Sequence, residues 1–185
     1  MIGLEVTDLA LDGCMTKAPG SGDKVGRFPV DRGKQGLKRA AVTDATGVRM
    51  HVVSAGANRH DSPLLGPALA GLPAVGPSTT GSTVHRDRPF DAGPSRELLD
   101  RLGFYGAIAR KGIPTPVQAG ARRIAEQTQA WMNGSGKLRR CTKTTGAVVD
   151  FSLFLAAAFV VTRLLIQRAR RRYRWATRST TRRLT

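Results

Sequence analysis

The chain has 185 residues, with 30 Lys and Arg against 13 Asp and Glu, and a formal net charge of +17. The length suits one domain with a sizeable core, and the charge indicates a polyanionic partner, nucleic acid first and an anionic membrane surface second. Cys14 and Cys141 match no metal-ligand spacing and are too few for a disulfide framework, so we expect reduced cysteines in an intracellular protein.

The first third of the chain predicts a strand, a long loop and a hairpin. LEVTDLALD predicts a strand that ends at Asp12. The Gly-, Lys- and Pro-rich residues 13–36 predict a long mobile loop. LKRAAVTDATGVRMHVVSAG then predicts two strands joined at residues 44–47, with Gly47 in the left-handed conformation.

The rest of the chain predicts helices alternating with single strands. Ser62 and Pro63 indicate the start of a short helix, with Ser62 as its cap. Two further strands are expected in TVHRD and YGAIARKG, and three further helices in SRELLDRLG, in residues 119–133 and from Val148 onwards. Three strands followed by this alternation favour a mixed sheet with helices packed on it.

One apolar stretch imitates a membrane span. Residues 151–162 (FSLFLAAAFVVT) carry no charge, but Asp150 and Arg163 close them. Twelve residues fall short of the roughly 20 that a spanning helix needs, so we predict a buried core helix. The N-terminus lacks a basic region, which argues against a signal peptide.

Three carboxylates stand where apolar structure would otherwise continue. Asp12 closes the first predicted strand, Asp87 closes TVHRD, and Glu126 lies inside a predicted helix. Carboxylates that converge at strand ends suit Mg²⁺, and two such ions can cut a phosphodiester. The alternative is ordinary structure, in which Asp87 is a strand-ending turn residue paired with Arg86 or Arg88, and Glu126 is an exposed helix residue that pairs with Arg122.

Several stretches together resemble the catalytic domain of bacterial insertion-sequence transposases of the DDE class. They are LALDGCMTKAPGSGDKVGRFPVDRGKQGLKR, VSAGANRHDSPLL, VHRDRPFD, ELLDRLGF and EQTQAWMNGSGKLRRC. The resemblance covers residues 4–175 and implies an α/β, ribonuclease H-like mixed sheet flanked by helices. It also implies metal-dependent strand cleavage and strand transfer in DNA transposition.

The resemblance assigns the site residue by residue. Asp12 and Asp87 match the two catalytic aspartates, Glu126 matches the catalytic glutamate, and Arg122 matches the arginine four residues before it. These three carboxylates would hold two Mg²⁺ ions, with Mn²⁺ as a substitute. We expect DNA contacts from basic residues of the loop, the third helix and the segment after it: Lys24, Arg27, Arg32, Lys34, Lys38, Arg39, Arg122, Lys137, Arg139 and Arg140.

The partners implied by the resemblance are the terminal inverted repeats of a transposon, target DNA and a second copy of the chain. The implied location is the bacterial cytoplasm, at the nucleoid and away from membranes. We expect the catalytic domain at residues 1–175, a basic disordered tail at 176–185, and no N-terminal DNA-end-binding region, which the family normally has upstream.

Four positions depart from the family pattern. Arg86 replaces an apolar strand residue, Pro89 replaces a glycine, Arg123 replaces an aromatic residue and Gln127 replaces an arginine. A buried charge costs several kcal/mol unless it reaches water. These departures keep open a second hypothesis, an inactive remnant that only binds DNA non-specifically. The final helix and the arginines after it leave a third hypothesis, a basic protein of the membrane surface.

Overall fold

The computed structural model describes residues 3–76, 78–90, 92–108 and 116–173. Among these residues, six strands form one sheet: β1 (Asp8–Lys17), β2 (Gly26–Arg27), β3 (Gln35–Asp44), β4 (Arg49–Gly56), β5 (Thr83–Arg86) and β6 (Tyr105–Ile108). The same described ranges contain five α-helices: α1 (Leu65–Ala70), α2 (Gly93–Arg101), α3 (Pro116–Asn133), α4 (Gly136–Arg139) and α5 (Gly146–Arg172).

The sheet is mixed. β1 pairs antiparallel with β3, and β3 pairs antiparallel with β4 and with the short β2. On its other side β1 pairs parallel with β5, which pairs parallel with β6. The predicted mixed sheet flanked by helices is confirmed.

Alternation along the strands gives the sheet two apolar faces. One face, which includes Leu9 and Val42, packs with residues of α1 and α2. The other face, which includes Leu37, Ala41 and Val52, packs with residues of α3, α4 and α5. Helices therefore cover both faces, and α3 lies on the face that receives the even-numbered side chains of β1.

Three local predictions were wrong in detail. β1 does not end at Asp12 but continues to Lys17, because residues 9–17 pair without interruption with β3. Ser62 caps no helix, since its hydroxyl donates to the carbonyl of Pro89 at 2.9 Å. The sequence patterns also missed β2 and α4, two elements too short to carry a periodic signal. The β3–β4 hairpin was correct, and Gly47 has a φ of +85°.

The prediction for α5 was half right. Its buried side chains pack on the sheet: Val149, Leu153, Ala156, Ala157, Val160 and Leu164. The opposite side of the helix is exposed, so α5 is a core helix on one face only. By length and composition alone it is apolar enough to cross a bilayer.

Candidate active site

Two of the predicted carboxylates follow neighbouring residues of a parallel strand pair. Leu11 of β1 lies opposite Arg86, the last residue of β5; Asp12 is the next residue of β1, and Asp87 directly follows β5. Neighbouring strands lie about 4.8 Å apart. The register therefore brings these two aspartates to the same level of the sheet, where β5 ends.

The third carboxylate lies on the helix that covers this part of the sheet. In α3 the side-chain amide of Gln129 donates to the backbone carbonyl of Asp12 at 3.2 Å. Asn133 accepts from the guanidinium of Arg39 at 2.6 Å. Glu126, Gln129 and Asn133 are spaced three and four residues apart and so share one stripe of the helix. Glu126 lies one turn before the residue that contacts Asp12, and it is exposed.

The carboxylates fit a divalent cation in chemical type, because Mg²⁺ prefers hard oxygen ligands. Asp12 and Asp87 also fit by their position on adjacent strands. Within the described ranges, however, no three His, Cys, Asp or Glu side chains lie close enough together to hold an ion. Two strand positions are therefore in place, but a complete three-carboxylate cage is not preformed.

Two buried arginines lie on the same face, next to Asp12. Arg39 is 0% exposed, and its Nη2 lies 3.1 Å from the thiol of Cys14 and 2.6 Å from Asn133. Arg49 is 6% exposed, and its guanidinium has no hydrogen-bond partner among the described residues. Burial, followed by the positive charge of Arg39, lowers the pKa of Arg49 to about 9, and Asp12 acts in the opposite direction.

The side chain of Arg86 does not extend into solvent. It is buried, and it shares a face of the sheet with Leu11, toward α2. A Cβ on Gly106 would lie 3.2 Å from the Arg86 guanidinium, so glycine at that position leaves room for the long side chain. Arg123 and Gln127, the other departures that fall in α3, are exposed and carry no such cost.

Pro89 has a structural explanation. It lies in a short 3₁₀ turn, Arg88–Phe90, in which the Phe90 N–H donates to the carbonyl of Asp87 at 3.0 Å. Phe90 is buried in the core beneath α1. The turn therefore ends β5 directly after Asp87 and anchors the chain beyond it.

Two of the predicted DNA contacts are corrected by their burial. Lys38 is buried and donates to the Asp61 carboxylate at 3.2 Å and to the Arg59 carbonyl at 2.7 Å. Arg39 is buried between β3 and α3. Neither side chain reaches the surface, because both are drawn inward by polar partners that the sequence pattern does not reveal.

The other predicted contacts differ in exposure. Lys24 is half-buried and lies 3.5 Å from the Asp150 carboxylate. Exposed positions are Arg27, Arg32, Lys34, Lys137, Arg139 and Arg140. The side chain of Arg122 and the tail at 176–185 lie outside the described residues.

Four basic residues line one groove at the far end of β1. The groove has a volume of about 560 Å³ and is lined by Lys17, Pro19, Lys34, Gln35, Arg139 and Arg140. Two backbone contacts hold its walls together. Lys17 and Arg140 form an isolated parallel β-bridge, and the Cys141 N–H donates to the Lys17 carbonyl at 2.8 Å. Sequence reasoning missed Lys17, because it ended β1 too early.

Comparisons with known proteins agree on a family. The model of the family "Transposase DDE domain" matches residues 7–161. A Burkholderia cepacia protein named "Putative transposase for insertion sequence element IS402" is 30% identical over 122 residues, which is 63% of this chain. The chain spans 58% of the length of that relative.

The solved structures that match this chain include two transposase complexes. The piggyBac transposase synaptic complex with hairpin DNA matches at a TM-score of 0.36 and 16% identity, over 58% of this chain and 24% of that one. The Mos1 transposase paired-end complex with the left transposon end matches at a TM-score of 0.42 and 11% identity, over 68% of this chain and 42% of that one. On the family match, which covers most of its length, this chain belongs to the transposase DDE domain family.

Proposed function

We propose that this chain cleaves DNA strands at the ends of an insertion sequence and transfers them to target DNA. The observation that carries the proposal is the position of Asp12 and Asp87, side by side after paired residues of two parallel strands. Carboxylates at the end of a parallel strand pair are well placed for a substrate outside the sheet. The family match supports the same chemistry.

We assign Asp12 and Asp87 as the residues that hold a divalent cation, with Glu126 as the third ligand. A pair of Mg²⁺ ions bound there would activate the attacking oxygen and stabilise the leaving oxygen of a phosphodiester, with Mn²⁺ as a substitute. The protein itself orients the Asp12 backbone through Gln129 and ends β5 after Asp87 through the Arg88–Phe90 turn. Because Glu126 is exposed on the facing helix, it remains accessible to a bound ion.

The basic groove supports a path for the DNA backbone. Lys17 lies five residues beyond Asp12 on β1, which corresponds to about 16 Å along an extended strand. A backbone that passes the site can therefore reach Lys17, Lys34, Arg139 and Arg140 within about five nucleotides. We propose the transposon ends and target DNA as partners, and the nucleoid in the cytoplasm as the location.

The groove predicts a specific change in DNA binding. Replacing Lys17 and Arg140 together by Glu should reduce the slope of log K against log salt by about 2, since each lost phosphate contact removes about one unit. Fluorescence anisotropy with labelled duplex across a salt series measures this slope. The control is Arg101→Glu in α2, a residue that does not line the groove, and this variant should leave the slope nearly unchanged. Equal slopes for the double variant and wild type would exclude the groove.

A second candidate function is non-specific DNA binding without cleavage. It is favoured by two observations: the described residues contain no preformed three-ligand metal group, and Arg49 places a buried positive charge near Asp12. Both features weaken cation binding, because the ion must draw Glu126 in and compete with a fixed charge.

Cation binding separates the two candidate functions without a DNA substrate. For the cleaving enzyme, isothermal titration calorimetry with Mn²⁺ should show saturable binding that Asp87→Asn weakens at least tenfold. The exposed carboxylate of Asp100, in α2, gives the control variant Asp100→Asn, which should bind as wild type does. No saturable Mn²⁺ binding, or equal binding by all three proteins, would favour the non-cleaving candidate.

A further inference from the structure

The outer side of α5 presents a large apolar surface. Phe159 is 69% exposed and Phe151 is 64% exposed, in a helix that otherwise packs firmly on the sheet. Other exposed apolar side chains extend the surface along the helix and onto α3: Trp131, Val148, Phe154, Leu155, Leu165 and Ile166. We call these eight residues the α5 face. From Phe151 to Thr162 the helix carries no charge.

The pattern of the α5 face is that of a helix with a partner. Five residues of the α5 face, together with the exposed Thr162, recur at intervals of three or four residues, which is the spacing of a coiled-coil seam. They are Val148, Phe151, Leu155, Phe159 and Ile166. With aromatic side chains of 150–250 Å² each, the face presents on the order of 600 Å² of apolar surface. That is near the roughly 800 Å² that each partner contributes to a standard interface, and at the upper end for monomers.

The α5 face combines protruding and recessed parts. Phe159 protrudes, and on either side of it and Trp131 lie two grooves between α3 and α5, with volumes of about 310 and 450 Å³. Phe159 and Trp131 line both grooves, and Leu164 lies in the larger one. Under a two-fold rotation, the protruding Phe159 ring of each copy can enter a groove of the other copy, so the surface is self-complementary. Binding to a lipid surface would not require a groove.

Charge fixes the direction of pairing. Beyond Thr162, α5 carries only positive charges: Arg163, Arg168, Arg170, Arg171 and Arg172. In a parallel pair these arginine clusters would lie against each other. In an antiparallel pair they lie at opposite ends, and the helix dipoles also oppose each other favourably. The uncharged central segment of α5 in one copy then packs against the same segment in the other copy.

We propose that two copies of this chain pair through the α5 face, with their α5 helices antiparallel around a two-fold axis near Ala158. The inference deepens the proposed function, because it names the surface through which two chains come together. It does not depend on metal binding or cleavage, so it is tested on the protein without DNA.

The test is the mass of the protein in solution. Sedimentation equilibrium at about 1–50 μM should give a dimer for wild type and a monomer for Phe159→Glu. The control is Val30→Glu, which changes an even more exposed apolar residue in the loop between β2 and β3 and should remain dimeric. Circular dichroism melting shows that each variant is folded. A wild-type monomer over this range, or a dimer that survives Phe159→Glu, would overturn the proposal.

Cross-linking tests the antiparallel direction. In a Cys14→Ser background, Ala158→Cys should form a dimer with a short bis-maleimide, because both copies place residue 158 near the axis. Arg172→Cys should not, since the two copies of residue 172 lie about 45 Å apart in this arrangement. The reverse result would contradict antiparallel pairing. Flotation of monomeric wild type with vesicles of phosphatidylcholine and phosphatidylglycerol, lost in Phe159→Glu, would assign the face to a membrane and overturn the proposal.

Discussion

Asp87→Asn is expected to reduce metal-dependent DNA nicking by roughly 10³-fold or more, equivalent to about 4 kcal/mol in the activation free energy. Asn keeps the shape of the side chain and removes its charge, so the site loses one of the two carboxylates held at the same level of β1 and β5. Asp12→Asn should have an effect of the same size. The measurement is the rate at which supercoiled plasmid carrying the element's ends is converted to nicked and joined products in Mg²⁺.

Asp100→Asn provides the matched control for this loss, because Asp100 is an exposed carboxylate on α2, on the face of the sheet away from Asp12. It should nick as wild type does. All variants should melt within a few degrees of wild type, so that a lost rate reports on chemistry. An Asp87→Asn protein that is folded and fully active would show that the aspartate has no role in cleavage.

Arg49→Met is expected to raise the free energy of unfolding by about 1–4 kcal/mol. The guanidinium of Arg49 is buried, has no hydrogen-bond partner among the described residues and lies near the positive charge of Arg39. Met preserves most of the volume and removes the buried charge. Urea unfolding at pH 7 measures the difference in the free energy of unfolding between variant and wild type. The control is Arg123→Met, which replaces an exposed arginine of α3 and should change this free energy by less than about 0.5 kcal/mol.

The pH dependence of this effect has a defined sign. The pKa of Arg49 is about 9 in the folded protein, which is well below the ordinary pKa of an arginine in the unfolded chain. Between these values the unfolded chain binds more protons, so this arginine's contribution to stability becomes more favourable as pH rises from 9. Below pH 9 both states are protonated, and the cost of the buried charge is present in full. The gain from Arg49→Met should therefore be constant between pH 6 and 8. A loss of stability in the variant would mean that the charge is well paired.

The place of the two aspartates in the sheet could be predicted only in part, because each belongs to a short apolar strand pattern. Asp87 directly follows β5, near the predicted strand end, whereas β1 continues past Asp12 to Lys17. Predicting that Asp12 and Asp87 lie side by side requires further information, because their proximity depends on the parallel register between two strands more than 70 residues apart in the chain. The residues alone left convergence of the carboxylates as one of two alternatives, and the resemblance to a family favoured it.

The basic residues show where sequence reasoning fails. Lys38 and Arg39 lie in a run of charge that looks like surface, yet both are buried by polar partners distant in sequence, Asp61 and Asn133. Conversely, Lys17 belongs to the groove only because β1 continues past Asp12. Burial of a charge depends on tertiary partners, and no periodicity along the chain reports them.

The α5 helix shows a third limit. Its composition predicts burial, and the pattern of apolar residues covers nearly the whole circumference, so the sequence does not distinguish the face on the sheet from the outward face. The structure separates them, with Val149 and Leu153 inside and Phe151 and Phe159 outside. The periodicity of α5 in the sequence therefore does not show which of its apolar residues contact the sheet and which are left for a second molecule.

The most direct test of the central claim is cleavage by the wild-type chain itself. The substrate is DNA that carries the terminal inverted repeats found beside the source gene, and the reaction is run in Mg²⁺, in Mn²⁺, in Ca²⁺ and in EDTA. We predict strand breaks at the repeat ends in Mg²⁺ and Mn²⁺ and none in EDTA. Binding of the repeats with no breaks under any of the four conditions would contradict the claim that Asp12, Asp87 and Glu126 form a working site.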